Sequence, residues 1–395
     1  MELELLPSLL LAVVVLLAGT LLNRRVSWLA RYNIPDPITG GLLFAGFASL
    51  AGLAGFRLGI DQTLKPMLLL MFFAGVGMCA DLRLLKLGGK ALAAFLLVLF
   101  PYILVQNVVG LGAARLLDLH PIFGLVGGSI TLVGGHGTGA AYAERFAEVN
   151  NLQSVMELSM TVATIGLIVG GIIGGPVAQF LINRHGVRTG GTATANASVS
   201  KEGPAPLTSV TFTAALAGIF AALIAGSWLG QRFSGAAITI PSFLWCMLTG
   251  IAIRNLVPFS GIRFDDRAAD LIAGVCLGLF LVMTMMALDL GQVARSAGAF
   301  IVILAAQIVF IIAYVVFVCF RVMGTNYEAA VTSAAFIGFN LGSTATAMAN
   351  MQSLTAKYGP APTSYLVVPL AGAFFIDLMN AFLLTLLLSL PFLGG

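Results

Sequence analysis

Charge is what this chain has least of: Asp, Glu, Lys and Arg together make up 9% of its 395 residues, against about a quarter in soluble domains. That scarcity excludes an ordinary solvated surface. Histidine is rarer still, with only His120, His136 and His185. No metal set or nucleophile–base constellation follows from so few, and an enzyme is not expected. The four cysteines, Cys79, Cys246, Cys276 and Cys319, fall in or beside apolar runs without a CxxC pair, which argues against a disulfide framework and reads as small core residues. No run of Lys or Arg is present to bind nucleic acid, although the formal net charge is +4. The opening Met1-Glu-Leu-Glu-Leu carries two carboxylates and no basic residue, so the first apolar segment reads as a retained helix rather than a secretory leader.

What fills the chain instead is hydrocarbon. Apolar residues account for 59% of the sequence and the mean hydropathy is +1.02, the composition of a polytopic membrane protein. Apolar runs between charged or Pro/Gly-rich breaks predict ten spans: Leu5 to Leu22, Thr39 to Phe56, Met67 to Ala80, Ala91 to Ala113, Ser154 to Ile182, Leu207 to Leu229, Ala236 to Ile253, Ala268 to Leu288, Ala297 to Phe320 and Ser364 to Leu390. With the N-terminus outside, fourteen of the twenty Lys and Arg residues fall on the inner side and six on the outer. That bias satisfies the positive-inside rule and places both termini outside.

The stretch His185 to Pro206, rich in Thr, Gly, Ser and Ala, separates five spans from five and reads as a cytoplasmic linker. An odd number of spans per half makes the second half enter the membrane in the opposite sense, which defines an inverted-topology repeat. A shift of 206 to 207 residues superposes the halves, so that Ile34-Pro35 meets Ile240-Pro241 and Gly135 meets Gly342. The expected fold is therefore all-α, with about ten transmembrane helices in two five-helix inverted repeats. Residues 1–182 form the first repeat, 183–206 the linker and 207–395 the second repeat.

Two glycine- and hydroxyl-rich strips interrupt the apolar pattern between the fourth and fifth spans of each half, Ser129 to Ala141 and Gly338 to Asn350. Non-helical backbone survives at membrane depth only where protein or a water-filled cavity satisfies its polar groups. The strips predict re-entrant hairpins near 121–142 and 329–352, entering from opposite faces toward the midplane. Close helix packing through small residues is the other reading of each strip. Glycine lets backbone approach a ligand, and broken helices offer N–H groups to anions and carbonyls to cations. Thr131, Thr138, Ser343, Thr344 and Thr346 add hydroxyls. His136, at the first tip, either pairs with a substrate carboxylate or is a structural hydrogen-bonded histidine.

Two carboxylates in the spans are candidate ligands. Asp377, deep in the tenth, is the stronger cation candidate, with a structural hydrogen bond as its alternative. Asn380, one turn on, can supply an oxygen to the same site. Glu157, near the start of the fifth span, is either a cation ligand or an interfacial carboxylate. Asp289 and Arg295 read as interface chemistry. Three activities compete on these residues: a secondary symporter, a channel or anion exchanger lined by the strips, and an intramembrane enzyme.

The runs Ile34-Pro-Asp-Pro-Ile-Thr-Gly-Gly41, Gly128-Ser-Ile-Thr-Leu-Val-Gly-Gly-His-Gly-Thr-Gly-Ala-Ala141, Gly174-Gly-Pro176, Ala347-Met-Ala-Asn-Met351 and Val367-Val-Pro-Leu-Ala-Gly-Ala-Phe-Phe-Ile-Asp377 resemble those of the bacterial sodium/glutamate symporters, the glutamate:sodium symporter family. The resemblance covers nearly the whole chain. It implies Na⁺-coupled uptake of L-glutamate across the bacterial inner membrane, with Na⁺ as coupling ion and no covalent cofactor. It also implies a homodimer in lipid and elevator-type movement of a hairpin-bearing core against a dimeric scaffold. Another di- or tricarboxylate is the alternative substrate. Expected substrate-binding residues are Thr131, Gly135, His136, Gly137, Thr138, Gly139, Asn340, Gly342, Ser343, Thr344 and Thr346, and expected Na⁺ ligands are Glu157, Asp377, Asn380 and Asn350. The second strip departs from the family pattern Gly-Ala-Thr-Pro-Thr-Ala, reading Gly342-Ser-Thr-Ala-Thr-Ala347. Ala345 removes a proline that would fix the turn, Asn340 stands where glycine is expected, and Phe336 where histidine is.

Overall fold

A computed structural model describes residues 3–26, 29, 34–53, 55, 59–150, 155–187, 207–233, 240–256, 265–288 and 290–390. Among the described residues the chain is helical and contains no strand. Among the described residues six helices are long and apolar enough to cross a membrane: Leu5–Arg25, Leu87–Leu116, Val155–His185, Ser209–Arg232, Asp266–Met286 and Phe300–Val322. A bent pair near the C-terminus makes seven if it is counted as one span. The remaining expected runs hold shorter helices, Asp36–Leu53 of 18 residues, Lys65–Met78 of 14 and Ser242–Leu256 of 15. At 1.5 Å per residue, the last two reach only about 20 Å, less than a hydrocarbon core of about 30 Å. The chain is a multi-pass helical membrane protein.

The helices are numbered α1 (Leu5–Arg25), α2 (Asp36–Leu53), α3 (Lys65–Met78), α4 (Leu85–Leu116), α5 (Pro121–Leu125), α6 (Gly135–Asn150), α7 (Val155–His185), α8 (Ser209–Arg232), α9 (Ser242–Leu256), α10 (Asp266–Met286), α11 (Leu290–Tyr314), α12 (Tyr327–Leu341), α13 (Thr344–Tyr358), α14 (Pro362–Phe374) and α15 (Ile376–Leu388), with short 3-10, π-helical and α-helical turns beside several of them. The chain divides into two compact units, one of residues 1–81 with 207–295, the other of residues 82–206 with 296–395. Each unit therefore takes part of both sequence halves.

The first unit holds α1, α2, α3, α8, α9 and α10. α1 crosses α2 and α8 crosses α9, while α2 packs on α10 and α3 on α9. Small residues set these crossings: a Cβ on Gly40 would run into the Val15 carbonyl, and one on Gly77 into that of Met247. Backbones this close are how helices gain contact where lipid is as apolar as leucine. The Ile34-Pro35 turn is held by Asn23, whose Nδ2 donates to the Ile34 carbonyl at 2.8 Å and to Asp36 Oδ1 at 2.6 Å. Arg254 bridges Asp81 at 3.3 Å and Asp266 at 2.9 Å.

The second unit carries both glycine-rich strips. α7 presents Gly166, Gly170 and Gly174 to α12 and α13 of the second strip. The expected tenth span holds two helices, α14 and α15, bent by 45° at a break around Phe375. Pro369 removes one backbone donor inside α14, and Gly372 sits so close to the Phe339 ring and Thr344 Oγ1 that a side chain has no room. The break lets α14 follow the second strip while α15 packs on the π-helical turn Val126–Ile130 of the first. α7 also runs on through His185, three residues into the expected linker. The rest of that linker, residues 188–206, lies outside the described residues, as do Asp289 and the side chain of Arg295.

Gly166→Ala places a methyl against the Leu341 carbonyl, an overpacking that should cost about 1–3 kcal/mol. Gly175→Ala meets nothing within 4 Å. Thermal unfolding in detergent should show a lowered midpoint for Gly166→Ala alone, and equal midpoints would refute the close α7–α12 crossing.

Candidate functional site

Both strips are helices broken in mid-course. The first runs from α5 through the π-helical turn Val126–Ile130 to a tight turn at Val133–Gly134, and restarts as α6. Its backbone leaves the helical region at Gly128 (φ −107°, ψ −134°) and enters the left-handed region at Gly135 (φ +63°), which a side chain disfavours. The second runs as α12, breaks at Gly342 (φ −149°, ψ −88°), and restarts as α13 with Ser343 as N-cap. The arms reach Asn150 and Tyr358, beyond the expected hairpin ends near 142 and 352.

The two breaks meet. A Cβ on Gly135 would stand 3.7 Å from the Gly342 carbonyl, so the start of α6 lies against the turn that starts α13. First-turn N–H groups have no intrahelical acceptor, and each helix start carries about half a positive charge. In α13, Ser343 Oγ accepts the Thr346 N–H at 3.3 Å and lies 3.2 Å from Thr346 Oγ1. Thr344 and Ala345 stay exposed at the tip, whereas Thr346 is buried. Two helix starts edged by hydroxyls present N–H and O–H donors of the kind that can hold an anion.

The remaining residues of the first strip line the same turn. Thr131 Oγ1 donates to the Val126 carbonyl at 2.6 Å and closes the π-helical turn. Gly137, Thr138 and Gly139 form the first turns of α6, with Thr138 3% exposed. His136 Nε2 lies 3.0 Å from Thr164 Oγ1. Thr164 spends its one hydroxyl proton on the Met160 carbonyl at 2.8 Å, so it accepts from His136. That assigns the imidazole proton to Nε2 and leaves Nδ1 as the free position. His136 is thus a positioned residue with one ring face held.

The expected cation residues separate into different tasks. Asn350 Nδ2 donates to the Gly170 carbonyl at 3.0 Å and to Ala334 at 3.1 Å, tying α13 to α7 and α12. Asn380 Nδ2 donates to the Ser129 carbonyl at 2.9 Å, and its Oδ1 is buried without a hydrogen-bond partner. Asp377 stands in the first turn of α15, at the mouth of the break. Glu157 opens α7, where its main-chain carbonyl accepts from Thr161 at 2.8 Å. Asn340 lies in the last turn of α12, with Nδ2 on the Phe336 carbonyl at 2.9 Å. Among the described residues no group of three or more His, Cys, Asp or Glu side chains gathers to hold a metal ion.

Sequence reading passed over several residues that hold the breaks in place. Asn107 on α4 donates to Ser129 Oγ at 2.8 Å and accepts the Ser129 N–H at 3.1 Å. Glu328 on α12 caps α14, accepting from the Thr363 and Ser364 N–H groups at 3.0 and 2.9 Å and from Ser364 Oγ at 2.7 Å. The signal for Asn107 was present as a polar Gln106-Asn107 pair inside the fourth apolar run.

Broken helices meeting tip to tip inside a multi-pass helical bundle define the secondary-transporter class of membrane protein. Comparison with known proteins supplies the family. The sequence profile described as Sodium/glutamate symporter matches residues 1–360. A sodium/glutamate symporter of Haemophilus influenzae is 40% identical over 385 residues, covering 95% of this chain and 95% of its own length. Those of Escherichia coli and Shigella flexneri are each 39% identical over 399 residues, covering both chains fully. The chain belongs to the sodium/glutamate symporter family.

The left-handed backbone at Gly135 gives a direct test of the first break. Gly135→Ala should destabilise by about 1–2 kcal/mol and Gly135→Asn by less, since asparagine tolerates that region. Equal melting temperatures for wild type and both variants would show that the turn does not depend on it.

Proposed function

We propose that the protein is a secondary active transporter that carries L-glutamate into the cell in symport with Na⁺. The observation that carries this reading is the approach of Gly135 to Gly342, which sets two helix starts side by side in a chain of the sodium/glutamate symporter family. A dicarboxylate takes its donors from the first-turn N–H groups of α6 and α13 and from Thr138, Ser343, Thr344 and Thr346, with Thr131, whose proton closes the π-helical turn, and His136, Gly135, Gly137, Gly139, Asn340 and Gly342 shaping the cradle. Na⁺ takes oxygens from Asp377 and Asn380, whereas Glu157 and Asn350, expected beside them, meet α7 at residues 157 and 170, about 20 Å apart along it, and do not share an ion. Inward entry of positive charge draws on the membrane potential, at about 2.3 kcal/mol per charge per 100 mV.

The same reading includes ten spans in two inverted repeats with re-entrant hairpins, both termini outside, in the inner membrane of a bacterium, and a homodimer. The matched helix pairs of the first unit, α1 with α2 and α8 with α9, support the repeat. The gathering of both broken helices into one compact unit supports elevator-type transport with that unit as the mobile body. Ala345 and Asn340, which depart from the family pattern, favour testing other acids alongside glutamate.

Purified protein in liposomes should accumulate labelled glutamate when an inward Na⁺ gradient is imposed and show counterflow, with unlabelled aspartate and citrate competing according to selectivity. Uptake unchanged in the absence of Na⁺ would overturn symport, and absence of counterflow would favour a pore. Thr138→Ala and Thr346→Ala should each lower uptake at least about tenfold while the protein stays folded, as expected when a charge-assisted hydrogen bond is lost. Wild-type rates in both would remove the cradle from the tips.

A further inference from the structure

One pocket of the second unit lies away from the tips, where the chain passes from α4 to α5. It has a volume of about 420 Å³ and is lined by Leu111, Arg115, Asp118, Leu119 and Pro121. The length of α4 sets its depth. The apolar span Leu87–Leu116 has 30 residues, about 45 Å at 1.5 Å per residue, against about 40–45 Å for a bilayer with its headgroups. The last turn of α4 and the residues after it therefore stand at headgroup level.

The turn that ends α4 shapes the pocket. The Leu119 N–H donates to the Ala114 carbonyl at 2.9 Å and the Leu117 N–H to that of Ala113 at 3.1 Å, the closure of a helix that ends on a left-handed residue. That residue is Asp118, at φ +52°, in a position where glycine is usual. Its carboxylate and the Arg115 guanidinium, three residues earlier, line one pocket, and both residues are exposed. They are not joined. Among the described residues neither side chain makes an ion pair or a hydrogen bond. The surroundings are aliphatic, with Leu111 and Leu119 half-buried and Leu116 87% exposed.

Opposite charges held apart at the edge of hydrocarbon select a ligand that carries both charges and an apolar tail. A simple anion is repelled by Asp118 and a simple cation by Arg115. Glutamate would bring two carboxylates to one guanidinium and leave the second beside Asp118. A headgroup that joins one phosphate to one primary ammonium matches the pair one to one. Guanidinium takes phosphate oxygens through paired N–H donors, the carboxylate accepts from the ammonium, and the acyl chains run along Leu111 and Leu116.

We propose that this pocket binds the headgroup of a phosphatidylethanolamine-type phospholipid, with Arg115 on the phosphate and Asp118 on the ammonium. A choline headgroup suits it less, because its methylated nitrogen has no N–H to donate to Asp118. Pro121, the first residue of α5, forms one wall. The bound lipid thus braces the segment that leads into the first broken strip.

The test uses the purified full-length protein, delipidated in detergent and titrated with short-chain phosphatidylethanolamine and phosphatidylcholine while the melting temperature is followed. Wild type should bind phosphatidylethanolamine about tenfold tighter than phosphatidylcholine, as a charge-assisted hydrogen bond predicts. Asp118→Gly, which suits the left-handed backbone, should erase that preference without lowering the melting temperature. Arg115→Gln should weaken both lipids about tenfold. Equal binding of the two lipids by wild type, or a preference that survives in Asp118→Gly, would overturn the ammonium contact, and unchanged binding in Arg115→Gln the phosphate contact. Glutamate that displaces the lipid and loses affinity in both variants would make the pocket a substrate vestibule instead.

Discussion

A helix interrupted inside hydrocarbon must find protein partners for the backbone groups it frees, and the second unit is arranged around that requirement. The partners are mostly uncharged side chains. Asn107 and Asn380 hold Ser129 from two sides, through its N–H and hydroxyl on one and its carbonyl on the other. Asn350 holds α13 against α7 and α12. Glu328 satisfies the start of α14, the helix whose own break lets it stay with the second strip. With the flanks of each break secured this way, the groups at the tips are left for a ligand rather than consumed by the fold.

The two breaks solve the same problem by different means. Under the 207-residue offset that aligns Gly135 with Gly342, Asn107 corresponds to Tyr314 and Ser129 to Phe336. The first pair is joined by hydrogen bonds, whereas the second stacks, with ring centroids 6.0 Å apart and planes 16° from parallel. Matched positions thus contact each other in both halves, as the proposed repeat requires, while the chemistry of the contact has diverged. Phe336, where the resemblance leads one to expect histidine, completes an apolar wall with Tyr102 and Tyr314. Ala345 forgoes the ring constraint of proline, and the Ser343 cap supplies the order of the turn through one hydroxyl.

Much of this was legible from composition. Apolar run length reports on bilayer crossing, so the long helices fall where the runs do, and glycine with hydroxyls in an apolar setting marks broken backbone before any coordinates exist. The bend at Phe375 was not legible, because Ala371 to Phe375 reads as continuous hydrocarbon and the helix ends there for reasons of tertiary fit, at Gly372 against Phe339 and Thr344. Nor was the role of Asn350. Its sequence position suggests an oxygen for a cation, yet the amide nitrogen faces two carbonyls, and only the location of α7 reveals that. Gln307, which donates to the Gln106 carbonyl at 3.0 Å, was equally hidden, since an isolated amide in an apolar run carries no sign of which neighbour it meets.

The absence of fixed positive charge bears on how coupling arises. Among the buried described residues the only Lys or Arg is Arg254, which serves Asp81 and Asp266 in the first unit. The cradle at the tips therefore relies on partial charges of helix starts and on hydroxyls, which attract an anion without neutralising it. A dicarboxylate held there alone would leave net negative charge in a low-dielectric setting, at a cost that grows steeply away from water. A lysine at the tip would remove that cost and with it the need for a co-ion. On the proposed reading of the tips, neutral donors leave the balance to Na⁺, and coupling would follow from what the site omits.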